Sequence, residues 1–211
     1  METITARRLS EITHTLASRD EHLAVVVERF GTPPLWDRPP GFATLVQIIL
    51  EQQVSLASAR ACFEKLCGRV GEVGPATLLA SSDDELRADG FSRQKALYSR
   101  HLAEAVLSGG LDLDGLKKLD DAGVRQSLTK LKGIGPWTAD IYLLMALLRP
   151  DVMPRGDIAL HAAWQQLSSG PRPNADEFLA VAERWRPFRS VAARLLWHFY
   201  LNTRRSAPKV R

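Results

Sequence analysis

Apolar residues recur at three- and four-residue spacing along most of this chain, and two-residue alternation is nearly absent. Leu45, Ile48 and Ile49 follow that spacing, as do Leu56, Ala59 and Phe63, and again Leu97, Leu102, Val106 and Leu107. A helix gathers residues three and four apart on one face, whereas a half-buried strand needs a period of two, so the pattern predicts an all-α protein. The punctuation agrees: Asp83 opens a short helix that Gly90 closes, Ser92 opens the next, and Gly109-Gly110 ends it. Asn174 with Glu177 makes a capping box for a helix ending near Pro187. The reading gives about ten helices joined by short turns. Pro33-Pro34 and Arg38-Pro39-Pro40-Gly41 set an N-terminal helix pair apart, and Ser168 to Pro173 is a second break. With 211 residues, 45% of them hydrophobic, the chain has enough apolar material for a real core.

Charge and cysteine content narrow the classes. The stretch from Arg184 to Arg211 holds eight basic residues and no acidic one, leaving 20 basic against 24 acidic residues before it. A basic end suits a polyanion such as nucleic acid, although a solvated helix face with a disordered tail over residues 205–211 gives the same count. The longest apolar run, Ile141 to Leu148, falls far short of the roughly 20 residues of a membrane span, and the polar start lacks a signal-peptide core. The expectation is a cytoplasmic or otherwise intracellular protein that does not enter a membrane. Cys62 and Cys67 lie on one predicted helix about 140° apart, which suits neither a disulfide nor a metal clip. Two cysteines also exclude an iron–sulfur cluster held by four.

The most informative segment is Leu131-Lys132-Gly133-Ile134-Gly135-Pro136-Trp137-Thr138-Ala139-Asp140. Two glycines flanking one apolar residue allow positive φ and close approach of a partner, and proline at the first helical position costs nothing because that N–H has no intrahelical acceptor. The segment predicts a tight helix-hairpin-helix whose second helix presents unpaired N–H groups and a positive dipole end to a phosphate. Such a contact positions DNA without reading its sequence. An ordinary helix–turn–helix corner is the alternative.

This hairpin, followed by Pro154-Arg155-Gly156-Asp157, resembles the helix-hairpin-helix glycine/proline-rich loop plus aspartate (HhH-GPD) superfamily of DNA repair glycosylases. Ile48-Ile49-Leu50-Glu51-Gln52-Gln53-Val54-Ser55 upstream, and Trp185-Arg186-Pro187-Phe188-Arg189-Ser190 with Trp197 downstream, are similar to its alkylpurine branch, the bacterial 3-methyladenine DNA glycosylase II type. The best-known bacterial members carry an additional β-rich N-terminal domain for which this chain has no room. The resemblance implies two helical lobes, one over about 41–133 and one combining 1–40 with 134–204, with the DNA and active-site cleft between them.

It also implies a catalytic carboxylate at Asp157, 22 residues after Gly135. Breaking a glycosidic bond builds positive charge on the sugar, which a fixed carboxylate stabilises while orienting a water. An alkylated purine is already cationic and leaves without a second acid. A pure helix N-cap is the other reading of Asp157. Where bifunctional relatives carry a nucleophilic lysine, two residues after the second glycine, this chain has Trp137, which implies hydrolysis without strand cleavage. Trp137 and Trp197, with Tyr142 as a weaker candidate, would hold the flipped cationic base by cation–π contact. Gln52, Gln53, Lys132, Gly133, Ile134, Gly135 and Thr138 would contact DNA, with Gln53 as the wedge that fills the gap left by the base. The resemblance implies catalysis without a cofactor and a structural Na+ or K+ on the carbonyls of Thr129, Leu131 and Ile134. The resemblance thus implies a monomeric, monofunctional glycosylase removing 3-methyladenine- or 7-methylguanine-type bases from double-stranded DNA in base excision repair. Alternatives are a glycosylase for deaminated, etheno or mismatched bases, or a non-catalytic DNA-binding module.

Overall fold

A computed structural model describes residues 3–206. Twelve α-helices and two 3-10 turns form among the described residues, with no strand. In chain order they are α1 (Ala6–Ala17), α2 (Glu21–Phe30), α3 (Phe42–Glu51), α4 (Leu56–Val70), α5 (Pro75–Ala80), α6 (Asp83–Asp89), α7 (Arg93–Leu107), α8 (Asp121–Thr129), α9 (Pro136–Met145), α10 (Ile158–Ser168), α11 (Ala175–Ala182) and α12 (Arg189–Ser206). The all-α expectation holds, with more helices than periodicity alone separated, because α5 is a single short piece. No described helix is long and apolar enough to cross a membrane.

The chain divides into two compact units. The first, Arg38–Leu147, is centred on α3, whose Phe42, Leu45, Val46, Ile48, Ile49 and Leu50 are all buried. A helix apolar on nearly every side must be enclosed, and α4, α7 and α9 pack around it. Each fully buried aliphatic side chain there contributes about 1.5–3 kcal/mol. The expected lobe boundary near residue 133 moves to Leu147, because α9 buries Thr138 through Leu144 and packs on α8 and α3. Local capping is as read: Ser82 accepts from Glu85 N–H in a full capping box, and Gly90 closes α6 at φ +103. Ser92 caps α7.

The second unit joins the N-terminal helices up to Asp37 with the chain from Leu148 onward. Here α12 packs against α1, α2 and α10. Arg194 is fully buried on α12, where its Nε donates to the Leu35 carbonyl at 2.8 Å and its Nη1 to the Ser190 carbonyl at 3.1 Å. Burial pushes its pKa down to about 10, opposed by Asp37, so the guanidinium stays charged at neutral pH and holds the N-terminal strap to α12. Asn174 and Glu177 form the expected capping box, but α11 ends at Ala182 and a 3-10 turn over Glu183–Trp185 follows. Arg186, the residue before Pro187, has ψ 144, the extended geometry that proline imposes on its predecessor. Of the tail expected over 205–211, α12 includes positions 205 and 206, and residues 207–211 lie outside the described residues.

Candidate functional site

In the first unit, α8 and α9 form the predicted hairpin. Gly133 occupies the left-handed region at φ +92, and a Cβ added there would overlap the Tyr98 ring. Gly135 differs from expectation: its φ is −91, which any residue can adopt, and a Cβ there would meet nothing within 4 Å. Its smallness therefore leaves open space outside the turn. Ile134 is buried and plugs the turn from within, while Lys132 is exposed. Gly135 provides no side-chain cap for α9 and Pro136 stands at the first helical position, so no side chain occupies the helix start; no acidic residue lies in the first turn either. Neutral N–H groups at an uncapped start form an anion-binding end.

Gln52 and Thr138, expected to contact DNA, are engaged with each other in the structure. Gln52 Nε2 donates to the Gly133 carbonyl at 2.9 Å and to Thr138 Oγ1 at 3.0 Å, and Thr138 is buried. The physical reason is that a turn built of glycines has few side chains to satisfy its own backbone, so a neighbour supplies the donor. Gln53 is exposed and sits at φ +56, uncommon for a residue with a side chain, beside the exposed apolar residues Val54 and Leu56. Trp137 is half-buried. Tyr142 is fully buried, and burial raises its phenol pKa to about 12, so as placed it presents no ring face to a base. Sequence reasoning missed the Arg125 Nε to Asp140 Oδ1 ion pair at 2.6 Å, which ties α8 to α9 just past the hairpin.

The carbonyls of Thr129, Leu131 and Ile134 are neutral oxygen donors, a set that suits a hard cation rather than a transition metal. The Leu131 carbonyl accepts the Ile134 N–H at 3.1 Å. Among the described residues no group of three or more His, Cys, Asp or Glu could hold a metal. Cys62 and Cys67 are free thiols on α4.

In the second unit, Asp157 is the N-cap of α10 and is 8% exposed. Its Oδ1 accepts the N–H groups of Ala159 and Leu160, each at 3.0 Å, and the indole Nε1–H of Trp197 at 3.2 Å. These three donors fix the carboxylate at the start of α10, where an N-cap side chain satisfies otherwise unpaired backbone N–H groups. The turn before it closes through Asp157 N–H to the Pro154 carbonyl at 3.4 Å, with Gly156 at φ +75, a geometry that favours glycine. Trp197 is 9% exposed, and its indole N–H is engaged with the carboxylate. His161, one turn along α10, is buried against Phe178 with ring centroids 4.8 Å apart. Burial first, then Arg172, lowers its pKa below the ordinary imidazole value, with Asp157 acting in the opposite direction.

The segment leading to Asp157 is stitched to the start of α12. Arg189 donates from Nε to Asp151 Oδ1 at 2.8 Å and from Nη2 to Oδ2 at 3.0 Å and to the Asp151 carbonyl at 3.1 Å. Ser190 Oγ accepts the Val152 N–H at 2.9 Å, and Ser190 N–H donates to the Pro150 carbonyl at 3.0 Å. Both ends of the segment are thus referred to one helix, at Arg189–Ser190 and at Trp197. No local sequence signal marks Asp151.

Residues 46–187 match the HhH-GPD superfamily of base excision DNA repair proteins. A putative DNA-3-methyladenine glycosylase of Bacillus subtilis is 30% identical over 183 residues, which is 82% of this chain and 63% of that protein. The chain therefore spans less than two thirds of that relative. Among solved structures, 3-methyladenine DNA glycosylase of Schizosaccharomyces pombe in complex with abasic DNA has a TM-score of 0.83 at 27% identity, covering 89% of this chain and 95% of that one. DNA-3-methyladenine glycosidase of Bacillus halodurans has a TM-score of 0.76 at 32% identity, covering 92% of this chain and 91% of that one.

Proposed function

The chain belongs to the HhH-GPD superfamily of base excision DNA repair proteins, and on that premise we propose that it is a monofunctional DNA glycosylase that hydrolyses the N-glycosidic bond of alkylated purines in double-stranded DNA. The observation that carries the reading is Asp157, a nearly buried carboxylate fixed by three N–H donors at a helix start. The substrates in the names of the relatives support the alkylpurine choice.

In this reading the uncapped start of α9 takes a phosphate oxygen, Lys132 adds a positive charge beside it, and the open space at Gly135 lets the strand approach. The nucleotide is flipped from the stack, and exposed Gln53 fills the gap. Asp157 stabilises the oxocarbenium character at C1′ and orients the attacking water. The leaving purine carries its own positive charge, so no second acid is required. Trp137 supplies an electron-rich face for the cationic base, a contact worth roughly 0.5–2 kcal/mol. Because Trp137 occupies, two residues after Gly135, the sequence position of the lysine nucleophile in bifunctional relatives, the product in this reading is an abasic site and no strand break. A Na+ or K+ on the Thr129, Leu131 and Ile134 carbonyls would add positive charge at the hairpin. The protein would work as an intracellular monomer.

The test is a methylated duplex incubated with the full chain, assayed for released base and for strand cuts before and after alkali. Released 3-methyladenine with cuts only after alkali fits the reading. Cuts without alkali contradict the monofunctional assignment, and duplex binding without base release would make the chain a binding module.

A further inference from the structure

We propose that Tyr98 is a positioning residue for DNA binding: its ring, together with Gln52, clamps the Gly133 turn in the shape that presents the start of α9 to a phosphate. The proposal deepens the duplex-DNA reading above and rests on it.

Tyr98 lies 35 residues before Gly133 in sequence, on α7, yet its ring occupies the space a side chain at Gly133 would fill: an added Cβ would overlap Cγ, Cδ1 and Cδ2. Van der Waals contact with the ring therefore holds one side of the turn. The carbonyl of the same residue is held by Gln52 Nε2, which also reaches Thr138 in the first turn of α9. Gly133 is thus gripped from α7 and from the end of α3 at once. The grip is itself anchored. Lys95 Nζ donates to the Leu50 carbonyl at 2.5 Å, fastening the start of α7 to the end of α3, whereas the Gln94 Nε2 donation to Tyr98 Oη at 2.5 Å stays within α7.

A turn containing two glycines has the largest backbone entropy to lose when it is ordered. Left ungripped, it would have to be ordered when a phosphate binds, and that cost would appear as weaker affinity. With Tyr98 and Gln52 in place the cost is met on folding. Tyr98 in this account improves binding through the turn, and its hydroxyl is not the operative group.

The experiment measures duplex affinity by fluorescence anisotropy, using an oligonucleotide with an abasic-site analogue and the full chain as wild type, Tyr98→Ala, Tyr98→Leu and Tyr98→Phe. Amide hydrogen exchange over residues 131–136 is measured on the same proteins without DNA. Tyr98→Ala should raise Kd about tenfold, equivalent to about 1.4 kcal/mol, and Tyr98→Phe should restore wild-type affinity to within about twofold. The hairpin amides of Tyr98→Ala should exchange about tenfold faster while those of α4 do not change. Tyr98→Leu, which fills part of the ring volume, should fall between the two and serves in place of Tyr98→Ala if that variant fails to fold. Unchanged affinity and exchange in Tyr98→Ala and Tyr98→Leu would overturn the proposal. So would a loss of affinity with unchanged exchange, which would make Tyr98 a direct DNA contact. A wild-type chain with no duplex affinity would instead sink the DNA reading, while the exchange data would still judge the clamp.

Discussion

Replacing Arg189 with Met keeps most of the aliphatic stem and removes the guanidinium that clasps the segment before Asp157. The lost contacts are two donations to the Asp151 carboxylate, one to the Asp151 carbonyl, and one to Glu183 Oε1 at 2.8 Å. The Arg189 and Asp151 side chains are 15% and 21% exposed, so the pair lies between the surface limit of about 0–1 kcal/mol and the roughly 3–5 kcal/mol lost on breaking a buried pair. Arg186 Nη1 stays 3.0 Å from Asp151 Oδ2 and offsets part of the unpaired charge. The expected destabilisation is about 2–3 kcal/mol, which for a chain of this size lowers the midpoint by about 5–10 °C. Thermal and urea unfolding of wild type, Arg189→Met, Asp151→Asn and the double variant at neutral pH would measure it, with a coupling energy of about 1.5 kcal/mol or more between the two sites. A coupling below about 0.5 kcal/mol would refute the clasp and leave Arg189 as an ordinary surface ion pair.

Two further predictions concern α10 and its neighbours. Trp197→Phe keeps a ring but removes one of the three N–H donors to Asp157 Oδ1, so base release under single-turnover conditions should slow about tenfold while duplex affinity changes far less; a rate within about twofold of wild type, or a loss carried wholly by affinity, would count against a positioning role for the indole. His161 has a folded-state pKa below its ordinary value of 6.5, so the unfolded chain binds its proton first, and stability is lost as pH falls below about 6.5 toward the folded value. Urea midpoints of wild type should therefore drop between pH 7 and pH 5 more steeply than those of His161→Gln, and identical slopes would remove His161 from the acid response.

The helices were readable because their faces are continuous: the apolar run in α3 and the caps at Ser82, Ser92 and Asn174 each act within a few residues. The unit boundary was less readable, since α9 belongs with α3 by packing across some 90 residues of sequence, and periodicity is silent on partners. At the candidate site, Asp157 and the Gly133 turn have local signatures, a cap position and a glycine that must take positive φ. Tyr98, Asp151 and the inward turn of Gln52 have none, because what fixes them is a neighbour far away in the chain. Spacing from Trp137 makes Tyr142 a base-contacting candidate, yet on a helix whose residues 138–144 are all buried, one turn is enough to place a ring in the core.

The central claim is that the charge on Asp157, rather than its cap, performs the hydrolysis. Asp157→Asn separates the two, because asparagine caps helices about as well as aspartate and keeps an oxygen for Ala159, Leu160 and Trp197. The decisive measurement is the single-turnover rate of 3-methyladenine release from a methylated duplex at saturating enzyme, for wild type and Asp157→Asn of matched thermal stability. The account predicts a loss of at least about 100-fold in rate with duplex affinity retained. An Asp157→Asn protein releasing base at the wild-type rate would contradict it.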